Sequence, residues 1–117
     1  EDIGELSTVL KELFETLGIE KALGVGSIFF EELEVFIKQC NQGIFEKDNK
    51  ALAEAAHKLK GASAMLGQEL LEKPLAQLEI DAQNDAIKDF SGRIQRLESI
   101  SKQSEDMFSN YVSLLIK

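Results

Sequence analysis

Residues 51–67 read Ala51-Leu52-Ala53-Glu54-Ala55-Ala56-His57-Lys58-Leu59-Lys60-Gly61-Ala62-Ser63-Ala64-Met65-Leu66-Gly67. Leu52, Ala55, Leu59, Ala62 and Leu66 step by three and four, which is the spacing of one helix face. At about 100° per residue, all five fall within roughly 40° of the direction opposite His57. With that stripe on the core, the single histidine of the chain faces outward. Its face is shared by Lys50, Ala53, Glu54, Lys60, Gly61 and Ala64, so little side-chain bulk surrounds the imidazole. A glycine inside a helix costs about 1 kcal/mol relative to Ala, and access to His57 is a reason to tolerate one at Gly61. Asp48 is a good N-cap type and Gly67 suits a left-handed C-terminal position, which bounds this helix at about Asp48 to Leu66.

The same periodicity continues on both sides. Ile3, Leu6, Leu10, Leu13 and Leu17 form one face of a first helix that stops at Gly18. A second helix carries Ile28, Phe29, Leu33, Phe36, Ile37, Cys40 and Ile44; Gly24 and Gly26 weaken its early part, and Ser27 is a possible later cap. A fourth opens around Leu71, with Pro74 in its first turn, and runs through Leu75, Leu78 and Ala82 to the turn Gln83-Asn84-Asp85. A fifth spans roughly Asp85 to Ile116 through Phe90, Ile94, Leu97, Met107, Phe108, Tyr111, Val112 and Leu115, with Ser91-Gly92 and the polar patch from Ser101 to Asp106 as weak points. No stretch shows strand-type alternation. Five helical segments with short connections predict an all-α fold, an antiparallel four-helix bundle with an additional N-terminal helix, as a single domain over residues 1–117.

Composition narrows the function. The chain has 117 residues, enough for one packed core, and a formal net charge of −8. Such a balance argues against a nucleic-acid binder, which needs a basic face. The lone cysteine, Cys40, makes neither an internal disulfide nor a thiolate cage, and one His with one Cys gives too few ligands for a metal centre. No run approaches the ~20 apolar residues of a bilayer span, so direct membrane contact is not expected. The sequence opens on Glu1 rather than Met, which suggests a module excised from a longer protein.

Charge is unevenly placed. Between Lys47 and Lys60 stand four lysines against two acids, whereas the remainder holds 9 basic and 19 acidic residues. A basic patch beside an accessible imidazole attracts an anionic group. Neutral imidazole is a nucleophile at physiological pH, and a nearby ammonium neutralises charge on a transferring phosphoryl group. These features sketch a covalent phosphoryl acceptor.

The run His57-x-Leu59-Lys60-Gly61-x-Ser63-x-x-Leu66-Gly67, with Ala55-Ala56 before it and Asp48 nine residues upstream, resembles the signature of histidine-containing phosphotransfer domains of multistep phosphorelays. The resemblance implies that His57 is the residue phosphorylated, that Lys60 interacts with the phosphoryl oxygens and that Gly61 clears space for a docking partner. Ser63 and Gly67 would serve helix packing and the helix end. The position on the following helix that meets the other imidazole nitrogen is Glu79, which would fix the tautomer and orient the ring. The implied partners are receiver domains, one of a hybrid sensor kinase and one of a response regulator, exchanging phosphoryl groups between aspartate and His57. The implied setting is the cytoplasm, with the isolated domain a monomer.

The chain carries no glycine-rich phosphate loop and no dinucleotide fingerprint, so it is expected neither to bind ATP nor to phosphorylate itself. No cofactor is expected in this domain, and the Mg²⁺ that phosphoryl transfer needs would come from the partner receiver. Two other readings stand beside this one. In a phosphoacceptor domain of a chemotaxis-type kinase, the donor would be an ATP-binding domain. In a helical adaptor, His57 would be incidental.

Overall fold

The computed structural model describes the backbone of residues 2–116 and the side chains of residues 8–116. Five helices follow one another: α1 (Asp2–Leu17), α2 (Ile19–Asn41), α3 (Asn49–Met65), α4 (Glu69–Gln83) and α5 (Phe90–Leu115), with no strand among the described residues. The most extensive contact is between α3 and α4; α4 also packs on α5, α5 on α2 and α2 on α3, which closes a four-helix bundle. Helix α1 is the additional N-terminal helix and lies on α2, with Phe14 reaching the rings of Phe108 and Tyr111 on α5. The molecule measures 47 × 25 × 21 Å. Among the described residues, no helix is long and apolar enough to cross a membrane.

The core is an aromatic and aliphatic stack. Phe29 and Phe30 of α2, Phe108 of α5 and Phe14 of α1 meet with ring centroids 5.0–6.2 Å apart, the spacing of favourable tilted aromatic pairs. Leu33, Leu52, Leu66, Leu71, Leu75 and Ile94 fill the centre. Cys40 belongs to this core, and burial pushes its thiol up to about 12, so at neutral pH it packs as a small hydrophobe.

Several boundaries differ from the sequence expectation, each for a physical reason. Helix α2, whose start the sequence left open, begins at Ile19, straight after Gly18 at φ 86°, so Gly24 and Gly26 lie inside it and Ser27 is not its cap. Gly26 is required there because a Cβ would sit 2.6 Å from Cε2 of Phe108 and nearer still to Cζ. Ile28 and Ile44, read as part of the buried stripe, are 57% and 58% exposed. Helix α4 starts at Glu69, two residues earlier than expected, which places Pro74 in the second turn, where it cannot donate to the Leu70 carbonyl.

Helix α5 starts at Phe90 rather than Asp85. Asp85 and Asp89 both take positive φ, and Asp89 caps the helix by accepting from the Gly92 N–H at 3.3 Å. Ser91-Gly92 is thus its first turn, and residues 101–106 continue it without a break. Ser101 and Ser104 are buried in that stretch, so the serines there are bundle-facing small residues and not a break signal. Within α1, Ile3 and Leu6 fall outside the described side chains. Phe14, missing from the expected stripe, is buried, whereas Leu17 is 37% exposed.

Candidate functional site

Helix α3 is held at both ends by its own sequence. The Asp48 carboxylate accepts from the Ala51 N–H at 3.1 Å, which satisfies one of the free donors of the first turn. At the other end Gly67, at φ 65°, allows its own N–H to reach the Ala64 carbonyl and the Gln68 N–H to reach that of Ser63. This paired arrangement satisfies the last carbonyls of the helix. Asn49 adds a tie across the bundle by donating to Asp85 on the α4–α5 connection at 2.8 Å.

The buried side of α3 is Leu52, Ala53, Ala56, Leu59, Ser63 and Leu66. It is therefore rotated from the apolar stripe toward α4: Ala55 and Ala62 are only partly buried, while Ala53, read as an outward neighbour of His57, is buried. The reason lies in the close α3–α4 contact. Ala56 and Ser63, both fully buried, are small enough to let the helices approach, and the Ser63 hydroxyl donates back to the Leu59 carbonyl at 2.8 Å. The rotation brings His57 and Lys60 to the edge facing α4.

Glu79 lies on α4 directly opposite. Its Oε2 is 2.9 Å from Nδ1 of His57, and its Oε1 accepts from Nζ of Lys60 at 2.9 Å. The Glu79 side chain is 11% exposed, Lys60 35% and His57 67%, so one nearly buried carboxylate holds two side chains that reach toward solvent. The Lys60 hydrogen bond is the main reason that the Glu79 carboxyl is held below the ordinary glutamate range; partial burial opposes it, and the charges of His57 and Lys60 reinforce it. An ionised carboxylate only accepts, so the contact requires Nδ1 of His57 to carry the proton. In the neutral ring, Nε2 is then the unprotonated nitrogen, and it has no hydrogen-bond partner among the described residues. This is a tautomerically fixed imidazole with its nucleophilic edge accessible.

Of the four residues singled out from the sequence, His57, Lys60 and Glu79 are joined here by direct contacts, and Gly61 follows Lys60 on the same helix. Gly61 is exposed, and a Cβ built on it meets nothing within 4 Å, so this glycine leaves the ground beside His57 open and relieves no internal clash. Lys50 and Lys58 are exposed, as expected of the basic patch. Sequence reasoning missed Gln83, whose Nε2 approaches Glu79 Oε2 at 3.5 Å from the next turn of α4. Its signal was the spacing of four from Glu79, which places both on one helix face. Gln83 also lines a groove of about 670 Å³ that runs between α3 and α4 from His57 past Glu54 and Lys50 to Asn49. Among the described residues, no three His, Cys, Asp or Glu side chains are grouped so as to hold a metal ion.

The family model of the Hpt domain matches residues 26–107, a span that begins inside α2, ends in α5 and contains His57, Lys60, Gly61 and Glu79. No curated protein and no solved structure gives a significant match.

Proposed function

This chain belongs to the histidine-containing phosphotransfer (Hpt) domain family, whose work is histidine phosphotransfer in phosphorelays, and on that premise we propose that His57 is its phosphoacceptor, loaded from a receiver phospho-aspartate and unloaded onto a second receiver. The observation that supports this most is the 2.9 Å contact of His57 Nδ1 with Glu79 on a ring that is 67% exposed. It leaves Nε2 as the nucleophile. As the Nε2–P bond forms, the bond from phosphorus to the aspartyl oxygen breaks, and its electron pair returns to the receiver's carboxylate. No proton has to leave Nε2, because the ring proton is on Nδ1. The positive charge the ring acquires faces the Glu79 carboxylate, and Lys60 answers the charge on the phosphoryl oxygens. Gly61 leaves room for the receiver, which brings the Mg²⁺ that its own acidic site binds.

The setting that fits is the cytoplasm, and the donor and acceptor are the receivers of a hybrid sensor kinase and of a response regulator. The complexes are expected to be transient, with a small interface.

Incubating the chain with acetyl-phosphate-charged receiver domains and Mg²⁺, followed by intact-mass spectrometry, tests the reading. The wild type should gain a single acid-labile, base-stable phosphoryl adduct, and His57→Gln should gain none while keeping its helical circular-dichroism spectrum. An adduct that survives in His57→Gln would place the acceptor elsewhere. A wild type left unmodified by a panel of receivers would favour a helical adaptor.

A further inference from the structure

Lys60 follows His57 by three residues on the same helix, so its ammonium is within reach of a group on the exposed edge of the ring. In the unphosphorylated molecule, however, that ammonium is engaged, with Nζ 2.9 Å from Glu79 Oε1. The other oxygen of the same carboxylate holds the imidazole at 2.9 Å. One anion thus restrains both the nucleophile and its helper. Building on the reading of His57 as phosphoacceptor, we propose that the Lys60–Glu79 ion pair is a resting-state latch that phosphorylation opens, Lys60 Nζ leaving Glu79 for the phosphoryl oxygens while His57 Nδ1 stays on Glu79 Oε2.

Three observations decide which contact breaks. Glu79 is the least exposed of the three side chains and sits on the helix packed most closely against α3, so the carboxylate is the fixed member. Its hold on Nδ1 strengthens as the ring gains positive charge when the Nε2–P bond forms, so the imidazole also stays. Lys60 is the mobile member, an ammonium on a four-carbon stem with rotatable donors. A phosphoryl group offers it three strong acceptor oxygens and a charge of about −1.5 to −2, against −1 on the carboxylate. At equal distance the Coulomb attraction is larger in that proportion.

The latch also gives the resting ion pair a purpose. By neutralising Glu79 before transfer, it removes a bare carboxylate from the path of an incoming dianion. After transfer the same cation moves with the charge that needs it.

NMR on the whole chain tests this, with phosphoramidate as the phosphoryl donor and the ³¹P signal of phosphohistidine, absent in His57→Gln, as proof of loading. In the resting wild type, the Lys60 ammonium should be protected from solvent exchange, identified by its disappearance in Lys60→Arg, and the protection should be lost in Glu79→Gln. In the loaded protein, the ³¹P titration midpoint of the phosphohistidine should lie lower in wild type than in Lys60→Gln, because the ammonium favours the dianion. Glu79→Gln should keep the low midpoint, since its Lys60 is free to reach the phosphoryl group. If the Lys60 ammonium keeps its resting-state exchange protection in the loaded protein, with the ³¹P signal present, Lys60 has remained on Glu79 and the latch alone is overturned. Absence of a phosphohistidine signal, or its persistence in His57→Gln, would overturn the assignment of His57 and the latch with it.

Discussion

Gly26 in the middle of α2 and Gly61 in the middle of α3 carry the same local penalty for helix formation, yet they stand in opposite surroundings. A side chain on Gly26 would run into the ring of Phe108, which is buried and flanked by Phe14 and Phe30. A side chain on Gly61 would meet nothing within 4 Å. The contrast extends to the two halves of the bundle. Where α2, α5 and α1 meet, the chain is an interlocked aromatic core. Along the α3–α4 edge, small residues bring two helices together and leave polar groups at the rim. A helix-interior glycine is thus evidence about its partner only once its surroundings are known: Gly26 serves packing, whereas nothing inside the folded domain requires Gly61.

Substituting the two glycines should therefore give stability changes of opposite sign. Gly26→Ala forces a methyl group against a buried ring that is itself in contact with Phe14 and Phe30, and overpacking of this kind costs about 1–3 kcal/mol. The melting temperature should fall by roughly 4–8 °C for each kcal/mol, as measured by calorimetry. An unchanged melting temperature would show that Phe108 moves aside, and the core would be looser than its ring contacts imply.

Gly61→Ala should do the reverse and stabilise the domain by about 1 kcal/mol through helix propensity alone, raising the melting temperature by about 4 °C. On the functional side, Gly61→Leu should fold as well as the wild type but slow phosphoryl transfer from a receiver by about tenfold or more, an activation penalty of at least about 1.4 kcal/mol. Phosphorylation by phosphoramidate, which is far smaller than a receiver, should be much less affected. If both donors are slowed equally, the side chain obstructs the imidazole itself, and room for a docking partner is not what the glycine provides.

The two halves also differed in how far they could be read from sequence. The site half was legible because its signals are local: an Asp cap, a Gly stop, and a His, a Lys and a Gly at fixed spacing on one helix face. Glu79 came from the family resemblance, which implies such a partner at that position on the following helix, and it lies within hydrogen-bonding distance of His57. The aromatic half was less so. The start of α2 was left open because Gly24 and Gly26 are poor helix formers by propensity, and the tertiary contact that retains Gly26 comes from Phe108, 82 positions away in the sequence. The start of α5 was misplaced because Asp85 and Asp89 resemble helix-starting residues equally well, and only the folded chain shows Asp89 capping while Asp85 holds Asn49. Rotation of α3 toward α4 escaped a periodicity argument for a related reason. Ala and Ser weigh little on a hydrophobic scale, but their small size decides how closely two helices approach.

The smallest effect is the one that separates the two ionic contacts of α4. Glu79 faces α3 and the site, and Asp81, two residues later, faces α5, where Arg93 donates to it at 2.8 Å. Both carboxyls are held below their ordinary range, Glu79 chiefly by Lys60 and Asp81 chiefly by Arg93 with help from Gln77. A carboxyl depressed in the folded state contributes stability at pH values above its unfolded value, about 4.3 for Glu and 3.9 for Asp. That contribution is lost as pH falls through the depressed folded value. Urea unfolding of wild type, Glu79→Gln and Asp81→Asn between pH 7 and pH 2.5 should therefore show each variant less stable than wild type at neutral pH, with the gap narrowing only below about pH 4. Salt should shrink the neutral-pH gap in both variants, because neither contact is fully shielded from solvent. The two variants should part in function: Asp81→Asn should leave phosphoryl transfer unchanged, whereas Glu79→Gln should slow it, because a neutral amide no longer compels the proton onto Nδ1. Equal transfer rates in the two variants would reduce Glu79 to a second structural ion pair and remove the functional asymmetry between the two faces of α4.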